Sequence, residues 1–263
     1  MSTTPLKDRI ALITGASAGI GRAVAQHLAQ QGCKLVLNAR REDRLRALAD
    51  SLPKGQCVIA AGDAAEQSVI DRALDAARSA FSREADLIVV NAGRGLNGSV
   101  ITSDPAQWDE MVRTNLMGCA RLLRSAAHRL LQGFPSTPLT PDSPWLKVQR
   151  DIVLIGSVVG RHVSPFSSMY GSTKFAVHAL AEGARRELGP KGIRVSLVEP
   201  GFVISEFQGV AGYDDAWFES MKQKIAPMLD PSDVANAVSF IAQQPAHVHI
   251  SDLLLRPTRQ DYP

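Results

Sequence analysis

Short apolar runs, many of them rich in β-branched residues, alternate along the chain with longer segments whose apolar residues recur at helical spacing. Runs of this length that lack polar alternation are typical of strands buried on both faces of a parallel sheet. The intervening segments, among them 21–32, 42–52 and 67–81, predict amphipathic helices, the first of which ends at a C-cap glycine, Gly32. The predicted strands lie at 10–14, 34–38, 57–61, 86–91, 151–156, 193–198 and 252–256.

This alternation predicts an α/β fold, namely a doubly wound parallel sheet of about seven strands with helices on both faces. Because no linker divides the chain, we expect a single domain over residues 1–263. The segment 132–150 departs from the alternation, since prolines recur there at every third position from Pro135 to Pro144. Such spacing excludes helix and favours an extended loop. We interpret the segment as a surface loop insertion before the fifth strand, with a partner-docking motif as the alternative.

Composition limits the classes of partner. Hydrophobic residues make up 45% of the chain and charged residues 21%, as in ordinary globular proteins. No apolar run reaches the ~18 residues of a membrane span, and the start MSTTPLKDRI lacks the apolar core of a signal peptide. Cys33, Cys57 and Cys119 are odd in number and lack C-x-x-C spacing, which favours reduced thiols in a cytoplasmic protein. The net charge of +3 is too small to predict a nucleic-acid partner.

A glycine-rich turn, TGASAGIG at 14–21, joins the first predicted strand to the first predicted helix. Gly15, Gly19 and Gly21 permit a tight turn and the close approach of a pyrophosphate, and the helix N-terminus presents N–H groups to it. The turn therefore predicts a dinucleotide-binding site at the end of the first strand.

The G-x-x-x-G-x-G spacing of this turn resembles that of the short-chain dehydrogenase/reductase family, in its short single-domain branch. Three further motifs of the family follow in order: Asp63-Ala64, Asn91-Ala92-Gly93 and Pro200-Gly201. The resemblance implies that these motifs flank the adenine, support the sheet edge beside the cofactor and shape the nicotinamide pocket, respectively. Val203 and Ser205 follow the last motif, with Ser205 in place of the family's usual threonine.

The end of the second strand bears on the choice of cofactor. An acidic residue about twenty residues past the glycines binds the ribose hydroxyls of NAD, and here Ala39 occupies that position. Arg40 and Arg41 follow it, and a guanidinium can fork onto a 2′-phosphate. Resemblance to NADP-using members therefore favours NADP(H) over NAD(H), with Arg40 as the main contact. A solvated helix start is the alternative, and Ala18 lacks the basic side chain that such members often carry in the turn.

The candidate catalytic residues Ser157, Tyr170 and Lys174 lie in GSVVGRHVSPFSSMYGSTKFA, residues 156–176. Tyr170 and Lys174 are four residues apart and share one face of a helix, where an ammonium lowers the pKa of a phenol. The resemblance implies that Tyr170 is the general acid/base, that Ser157 orients the substrate oxygen and that Lys174 holds the ribose. It also implies that Asn115 completes a water-linked proton relay. The implied cofactor contacts are Gly15, Ser17, Gly19, Ile20, Gly21, Arg40, Arg41, Asp63, Ala64, Asn91, Ala92, Gly93, Tyr170, Lys174, Pro200, Gly201, Val203 and Ser205.

Residues around this stretch are candidates for substrate selection. Val158, Val159, Arg161 and Phe166 lie between the chemical groups and are expected to choose the carbonyl. The segment 207–229 matches the position of a mobile lid in the family, or forms a plain helix pair. Its aromatic residues Trp217 and Phe218 are the expected substrate covers.

Other polar residues carry weaker hypotheses. Arg94, Arg161 and His162 could bind a substrate carboxylate, with a structural or solvated role as the alternative. His247 and His249 lack a third ligand, so we expect no metal site.

These patterns lead to an NADP(H)-dependent carbonyl reductase or alcohol dehydrogenase acting on a small molecule. Residues 248–260 resemble members that oxidise serine and short 3-hydroxy acids, a narrower hypothesis beside 3-oxoacyl reduction. The rival hypothesis is a catalytically weak NADPH-sensing protein, which would be expected to have lost Tyr170 or Lys174. An extended-branch epimerase is disfavoured because too little chain follows residue 205. The family resemblance also implies a homo-oligomer, either a dimer or a tetramer.

Overall fold

Seven parallel strands form one sheet within residues 6–261, the part of the chain that the computed structural model describes. Their spatial order is β3-β2-β1-β4-β5-β6-β7, so the chain moves outward from β1 in one direction and then, after β3, in the other. The predicted doubly wound sheet with helices on both faces is confirmed. The strands are β1 (Ile10–Thr14), β2 (Lys34–Asn38), β3 (Cys57–Ile59), β4 (Leu87–Val90), β5 (Asp151–Ile155), β6 (Arg194–Pro200) and β7 (Asp252–Leu255).

The helices cover the sheet in two layers. One face packs against α1, α2 and α9, and the other packs against α3, α5 and α6. Alternate residues of one strand supply the two cores: Leu12 faces one layer, whereas Ile13 faces the other. The helices are α1 (Gly19–Gln30), α2 (Glu42–Asp50), α3 (Gln67–Phe81), α4 (Trp108–Val112), α5 (Cys119–Leu130), α6 (Ser168–Leu188), α7 (Phe207–Ala211), α8 (Asp215–Ile225) and α9 (Pro231–Gln243).

The predicted helix boundaries differ from the observed ones mainly at α1, which begins and ends two residues earlier than the pattern 21–32 indicates. Gly32 follows this helix with a φ of 85°, a left-handed conformation in which glycine is favoured over other residues. A π-helix, Arg113–Gly118, joins α4 to α5, and the hydrophobic pattern gave no sign of it.

Switch points in such sheets leave a crevice at the carboxyl ends of the strands, between strands whose connections run in opposite directions. Here β1 pairs with β2 on one side and with β4 on the other, so the crevice opens above β1 and β4. The glycine turn, Asn91 and the loop after β5 all follow strands at this edge. The fold thus places at one edge the motifs that the sequence separates.

The opposite edge of the sheet, at the amino ends of the strands, carries a buried ionic row. Arg9 Nη1 lies 2.7 Å from Asp151 Oδ2, and Arg194 Nε lies 2.6 Å from Asp151 Oδ1. Arg9 Nε also lies 2.8 Å from Asp86 Oδ1. These residues lie at the starts of β1, β4, β5 and β6, which are consecutive in the sheet. The row therefore links four neighbouring strands.

The segment 132–150 leaves α5 and returns to β5. Its prolines do not exclude all helix, because Pro144–Lys147 forms a 3₁₀ turn that begins with a proline at its first position. The Trp145 ring in this turn stacks on the Arg150 guanidinium, 3.5 Å from its centroid, and its Nε1 donates to the Lys191 carbonyl at 2.7 Å. The hydrogen bond to Lys191 attaches the segment to the turn that precedes β6.

The N-terminal stretch and the lengths of the helices bear on the expected absence of a signal peptide and of a membrane span. The stretch MSTTPLKDRI, which lacks a signal-peptide core, begins with five residues that lie outside the described residues. Among residues 6–261, none of the helices combines the length and the apolar composition needed to cross a bilayer.

Candidate active site

A cavity of about 620 Å³ lies at the carboxyl edge of the sheet. It is lined by the residues that follow β1 to β6 and by side chains of α6, α7 and α8. Nearly all the predicted site residues line it together, and the exceptions are Gly21 and Asn115. The predicted residues in the lining are Gly15, Ser17, Gly19, Ile20, Arg40, Arg41, Asp63, Ala64, Asn91, Ala92, Gly93, Ser157, Tyr170, Lys174, Pro200, Gly201, Val203 and Ser205.

The glycine turn has the backbone that its sequence predicts. Gly15 and Gly19 adopt φ values of 67° and 50°, in the left-handed region. Gly21 is buried behind the turn, where an added methyl group would overlap the Gly15 carbonyl and lie 2.6 Å from Asn91 Nδ2. Its lack of a side chain therefore lets helix α1 approach β1 and β4, while Gly15 and Gly19 face the cavity.

Gly21→Ala is expected to destabilise the protein by about 1–3 kcal/mol, because the new methyl group overpacks a site bounded by backbone and by a fixed amide. Chemical denaturation measures this change. Gly183→Ala in α6 is the matched control, since nothing lies within 4 Å of its added methyl group. We expect the control to be neutral or slightly stabilising. Equal effects of the two substitutions would contradict the packing argument.

The Asn91-Ala92-Gly93 turn ties β4 to β1. The N–H groups of Asn91 and Ala92 both donate to Thr14 Oγ1 at 3.0 Å, and Asn91 Nδ2 donates to the Thr14 carbonyl at 2.9 Å. Gly93 lies close to Asn115, whose Oδ1 would be 3.2 Å from an added methyl group. The turn thus forms the floor of the cavity between the two central strands.

The residues after β2 and β3 form the far end of the cavity. Ala39 is buried, whereas the Arg40 side chain is 72% exposed with Nη1 3.8 Å from Glu110 Oε1. Arg41 lies over the glycine turn, and its Nη2 donates to Ser17 Oγ at 3.2 Å. Asp63 accepts the Ala65 N–H at 2.9 Å and pairs with Arg113. This end therefore combines the glycine turn with two arginines.

The side chains of Ser157, Tyr170 and Lys174 converge at the other end. Ser157 follows β5, while Tyr170 and Lys174 lie one turn apart on α6, and each of the three is less than a tenth exposed. Lys174 Nζ donates to the Ile155 carbonyl at 2.8 Å and lies 5.8 Å from the centroid of the Tyr170 ring. The fold thus places a serine hydroxyl, a phenol and an ammonium, all buried, on one wall of the cavity.

Burial sets the proton affinities of this group. It raises the pKa of the Tyr170 phenol, with a smaller contribution from Tyr213, and a hydrogen bond from Ser157 opposes the rise. Burial also lowers the pKa of Lys174 to about 8. The net shift of the Tyr170 pKa is therefore upward and not downward as expected, because desolvation of the phenolate outweighs the attraction of an ammonium that donates to the Ile155 carbonyl.

Asn115 lies behind the active-site wall, inside the π-helix. Its Nδ2 donates to the Arg94 carbonyl at 2.9 Å and to Thr173 Oγ1 at 3.0 Å, and its Oδ1 accepts the Arg94 N–H at 2.8 Å. Thr173 Oγ1 in turn donates to the Tyr170 carbonyl at 2.7 Å. The side chain of Asn115 thus joins the loop after β4 to the turn of α6 that carries Tyr170. A proton relay through Asn115 stays a prediction.

His178, which the sequence patterns did not indicate, supports Ser157. Its Nε2 accepts the Ser157 N–H at 3.5 Å, and its Nδ1 lies 3.6 Å from the buried Glu199 carboxylate. An added methyl group at Gly156 would lie 2.6 Å from its Nε2, so the ring fills the space under the loop. Burial, followed by Lys174, lowers the pKa of His178 to about 4, which keeps the ring neutral.

The predicted carboxylate binders differ in their surroundings. Arg161 does not line the cavity, and its guanidinium forms a bidentate pair with Glu199 at 2.5 Å. This pair gives Arg161 a structural role. His162 is exposed outside the lining, whereas Arg94 lines the cavity and is bonded to Gln107. His249 Nε2 donates to the Val195 carbonyl at 2.9 Å. Within the described chain no cluster of His, Cys, Asp or Glu could hold a metal ion.

Aromatic side chains cover the catalytic end. The ring of Phe207 lies 5.5 Å from that of Tyr170, and the ring of Tyr213 lies 5.3 Å from that of Trp217. Trp217 lines the cavity as expected, but Phe218 does not. The segment 207–229 contains the helix pair α7 and α8, and residues of both helices line the cavity.

Several lining residues have no motif of their own in the sequence. Gln260 Oε1 accepts the Phe202 N–H at 3.0 Å beside Gly201, and Gln208 Nε2 donates to the Val203 carbonyl at 2.7 Å. Phe207 is the first residue of the segment 207–229, in which the sequence predicts a lid or a helix pair. The Gln260 contact joins residues 58 positions apart in the chain, which no local pattern reports, whereas Gln208 and Val203 are only five positions apart.

Comparison with known proteins identifies relatives along almost the whole chain. A model of the short chain dehydrogenase family matches residues 9–214. An uncharacterized oxidoreductase of Staphylococcus epidermidis is 31% identical over 252 residues, covering 96% of this chain and 98% of that protein. An uncharacterized oxidoreductase of Staphylococcus aureus is 29% identical, covering 97% and 99%.

Solved structures are similar over the same length. The closed form of a serine dehydrogenase complexed with NADP⁺ superimposes with a TM-score of 0.84 at 29% identity, covering 96% of both chains. An alcohol dehydrogenase from Thermococcus sibiricus complexed with 5-hydroxy-NADP gives 0.80 at 26% identity, covering 98% of this chain and 100% of that one. A serine dehydrogenase from Escherichia coli gives 0.77 at 28% identity, with coverage of 96% and 100%.

Proposed function

The chain belongs to the short chain dehydrogenase family of oxidoreductases, and we propose that it transfers hydride between NADP(H) and a carbonyl or secondary alcohol. One observation carries the proposal. Buried Ser157, Tyr170 and Lys174 lie at one end of a cavity whose other end is a glycine turn with Arg40 and Arg41.

The residues present fit a dinucleotide with a 2′-phosphate. Left-handed Gly15 and Gly19 leave the turn open to a pyrophosphate, and the absence of a carboxylate at Ala39 removes a group that would repel the phosphate. Arg40 has an exposed guanidinium at the same end. NADP-bound relatives support this preference, since two of the solved structures hold NADP⁺ or 5-hydroxy-NADP.

The bound cofactor would supply the hydride, and the chain's own residues would control the oxygen of the substrate. In the direction of reduction, the Tyr170 hydroxyl would donate its proton to that oxygen. Its raised pKa keeps the proton in place until the reaction. The Ser157 hydroxyl holds the same oxygen by a hydrogen bond. The Lys174 ammonium stabilises the phenolate that remains.

Part of the cavity lining is apolar, formed by Val159 and Phe166 after β5, by Phe207 of α7 and by Trp217 of α8. Such a lining favours carbonyl compounds with apolar substituents. A narrower candidate is oxidation of serine or a short 3-hydroxy acid, supported by similarity to two serine dehydrogenases at 29% and 28% identity. Arg94 is then the candidate for the carboxylate, because Glu199 already neutralises Arg161.

A panel of carbonyls, alcohols, serine and 3-hydroxy acids, assayed with NADP(H) and NAD(H), tests the proposal. Turnover with NADPH and at least one substrate is the expected result. If the purified protein neither binds nor oxidises NADPH, the proposal is wrong. Binding without turnover across the panel would instead favour the cofactor-sensing alternative. Location in the cytoplasm and assembly as a homo-oligomer stay predictions.

Arg40→Ala is expected to raise the KM for NADPH about tenfold and to leave the KM for NADH within about twofold, because a charge-assisted hydrogen bond to phosphate is lost. Steady-state kinetics with both cofactors measures the change. Arg46→Ala is the matched control, since Arg46 is an exposed arginine of α2 that pairs with Glu42 outside the cavity lining. If the KM values for NADPH and NADH rose by the same factor, Arg40 would not be the residue that binds the 2′-phosphate.

A further inference from the structure

Glu206 places a carboxylate at the end of the cavity that holds the arginines. It lies between β6 and α7, lines the cavity and has a side chain that is 52% exposed. Its Oε2 accepts from Arg41 Nη1 at 2.9 Å, and its Oε1 pairs with Arg44. Two further donors of Arg41 reach Ser17 Oγ, Nε at 3.3 Å and Nη2 at 3.2 Å.

Three separate parts of the chain therefore meet at the Arg41 guanidinium. They are the glycine turn through Ser17, the start of α2 through Arg41 itself and the segment before α7 through Glu206. A 2′-phosphate bound beside Arg40 could also bind the Arg41 guanidinium, because phosphate oxygens can accept two parallel hydrogen bonds as a carboxylate does. Two anions cannot share one guanidinium without mutual repulsion.

Glu206 is negatively charged and only weakly held by its partners, so it can compete with the phosphate for Arg41. Its hydrogen bonds with Arg41 and Arg44 lower the pKa of the carboxyl group, so it remains charged across the neutral range. The side chains of Arg41 and Arg44 are 42% and 44% exposed, and exposed ion pairs are weak, so the carboxylate can be displaced. Arg40 contacts a different carboxylate, Glu110, at a longer distance of 3.8 Å.

We propose that Glu206 is a specificity-determining residue that competes with the 2′-phosphate of the cofactor for Arg41. This inference rests on the proposed use of NADP(H). The carboxylate lowers the affinity for nucleotides that carry the phosphate and leaves the affinity for those without it unchanged. Glu206 thus narrows the preference for NADP(H) over NAD(H) that Arg40 and Arg41 establish.

The test measures binding of adenosine 2′,5′-bisphosphate and of ADP by calorimetry, so that no catalytic step enters. Glu206→Gln keeps the shape of the side chain and removes its charge. We expect it to bind the bisphosphate about fivefold more tightly than the wild type, the scale of one to two exposed ion pairs, with ADP unchanged. In 1 M salt the difference should vanish, because screening weakens the competition.

Glu219→Gln is the matched control, since Glu219 is an exposed glutamate of α8 that pairs with Lys222 outside the cavity lining. It should leave both affinities unchanged. The ADP measurement separates a charge effect from a disturbance of the neighbouring Phe207, which would alter both nucleotides. Thermal unfolding of each variant verifies that the fold is retained.

The outcomes separate this inference from the proposed function. If the wild type prefers the bisphosphate but Glu206→Gln leaves its affinity unchanged, weakens it or shifts both nucleotides alike, the inference is overturned and NADP(H) use stands. If neither protein distinguishes the two nucleotides, both ideas fail. If only the variant prefers the bisphosphate, the competition is supported and the NADP(H) preference of the wild type is not.

Discussion

Tyr170→Phe is expected to lower kcat for carbonyl reduction by about 10³-fold, within the usual range for removal of a general acid. The substitution removes the oxygen that would protonate the product and keeps the ring that packs 5.5 Å from Phe207. Nucleotide affinity should change by less than about twofold, since a neutral hydroxyl contributes little to it. NADPH oxidation and nucleotide titration of the purified variant measure the two quantities.

Tyr213→Phe is the matched control for this substitution. Tyr213 lines the same cavity, and the change removes the same atom from it. We expect kcat to fall by less than about threefold, because the Tyr213 hydroxyl donates no proton in the proposed transfer and makes only the smaller contribution to the pKa of Tyr170. Equal losses in the two variants, or a Tyr170→Phe enzyme with a tenth or more of the wild-type rate, would contradict the role of Tyr170.

Lys174→Met is expected to stabilise the protein at pH 7 by about 2 kcal/mol while abolishing most activity. Burial holds the pKa of Lys174 at about 8, below its ordinary value of 10.5, so its charge at pH 7 is carried at a cost to the folded state. Methionine replaces the side chain with an apolar group of similar length. The melting temperature should rise by about 4–8 °C, and chemical denaturation gives the free energy directly.

The stability difference between the Lys174→Met variant and the wild type is expected to depend on pH. Between pH 8 and 10.5 the folded wild type binds fewer protons at Lys174 than the unfolded chain, so its free energy of unfolding rises with pH across this window. The advantage of the methionine variant over the wild type should therefore shrink from pH 8 upward. Lys54→Met, at an exposed loop lysine, should show no such convergence. A variant that is less stable than the wild type at pH 7 would refute the argument.

Local patterns in the sequence predict much of the fold, because periodicity reports burial directly where an element is apolar. Strands β1 and β2 have the predicted bounds, and helix α3 has them too. The prediction is less accurate for β6, which continues through Glu199 to Pro200. A buried glutamate interrupts the apolar pattern, and its partner Arg161 lies 38 residues earlier in the chain. No local pattern reports such a pairing.

The same distinction between local patterns and long-range contacts applies to the candidate site. The glycine turn and the spacing of Tyr170 and Lys174 are local, so they were visible in the sequence, and the fold brings them to one cavity. Glu206 and His178 act through residues distant in sequence and were not visible. The direction of the Tyr170 pKa was also mispredicted, because neighbouring charges can be read from spacing whereas desolvation depends on the packed structure.

The ionic row along the amino ends of β1, β4, β5 and β6 has a consequence for engineering. It links Arg9, Asp86, Asp151 and Arg194 at the edge of the sheet opposite the cavity, and none of these residues lines the cavity. The strands are therefore anchored at one end while chemistry occupies the other. Loops at the cavity end can be exchanged or diversified to obtain new substrates without disrupting the ion pairs that link the strands at the other end.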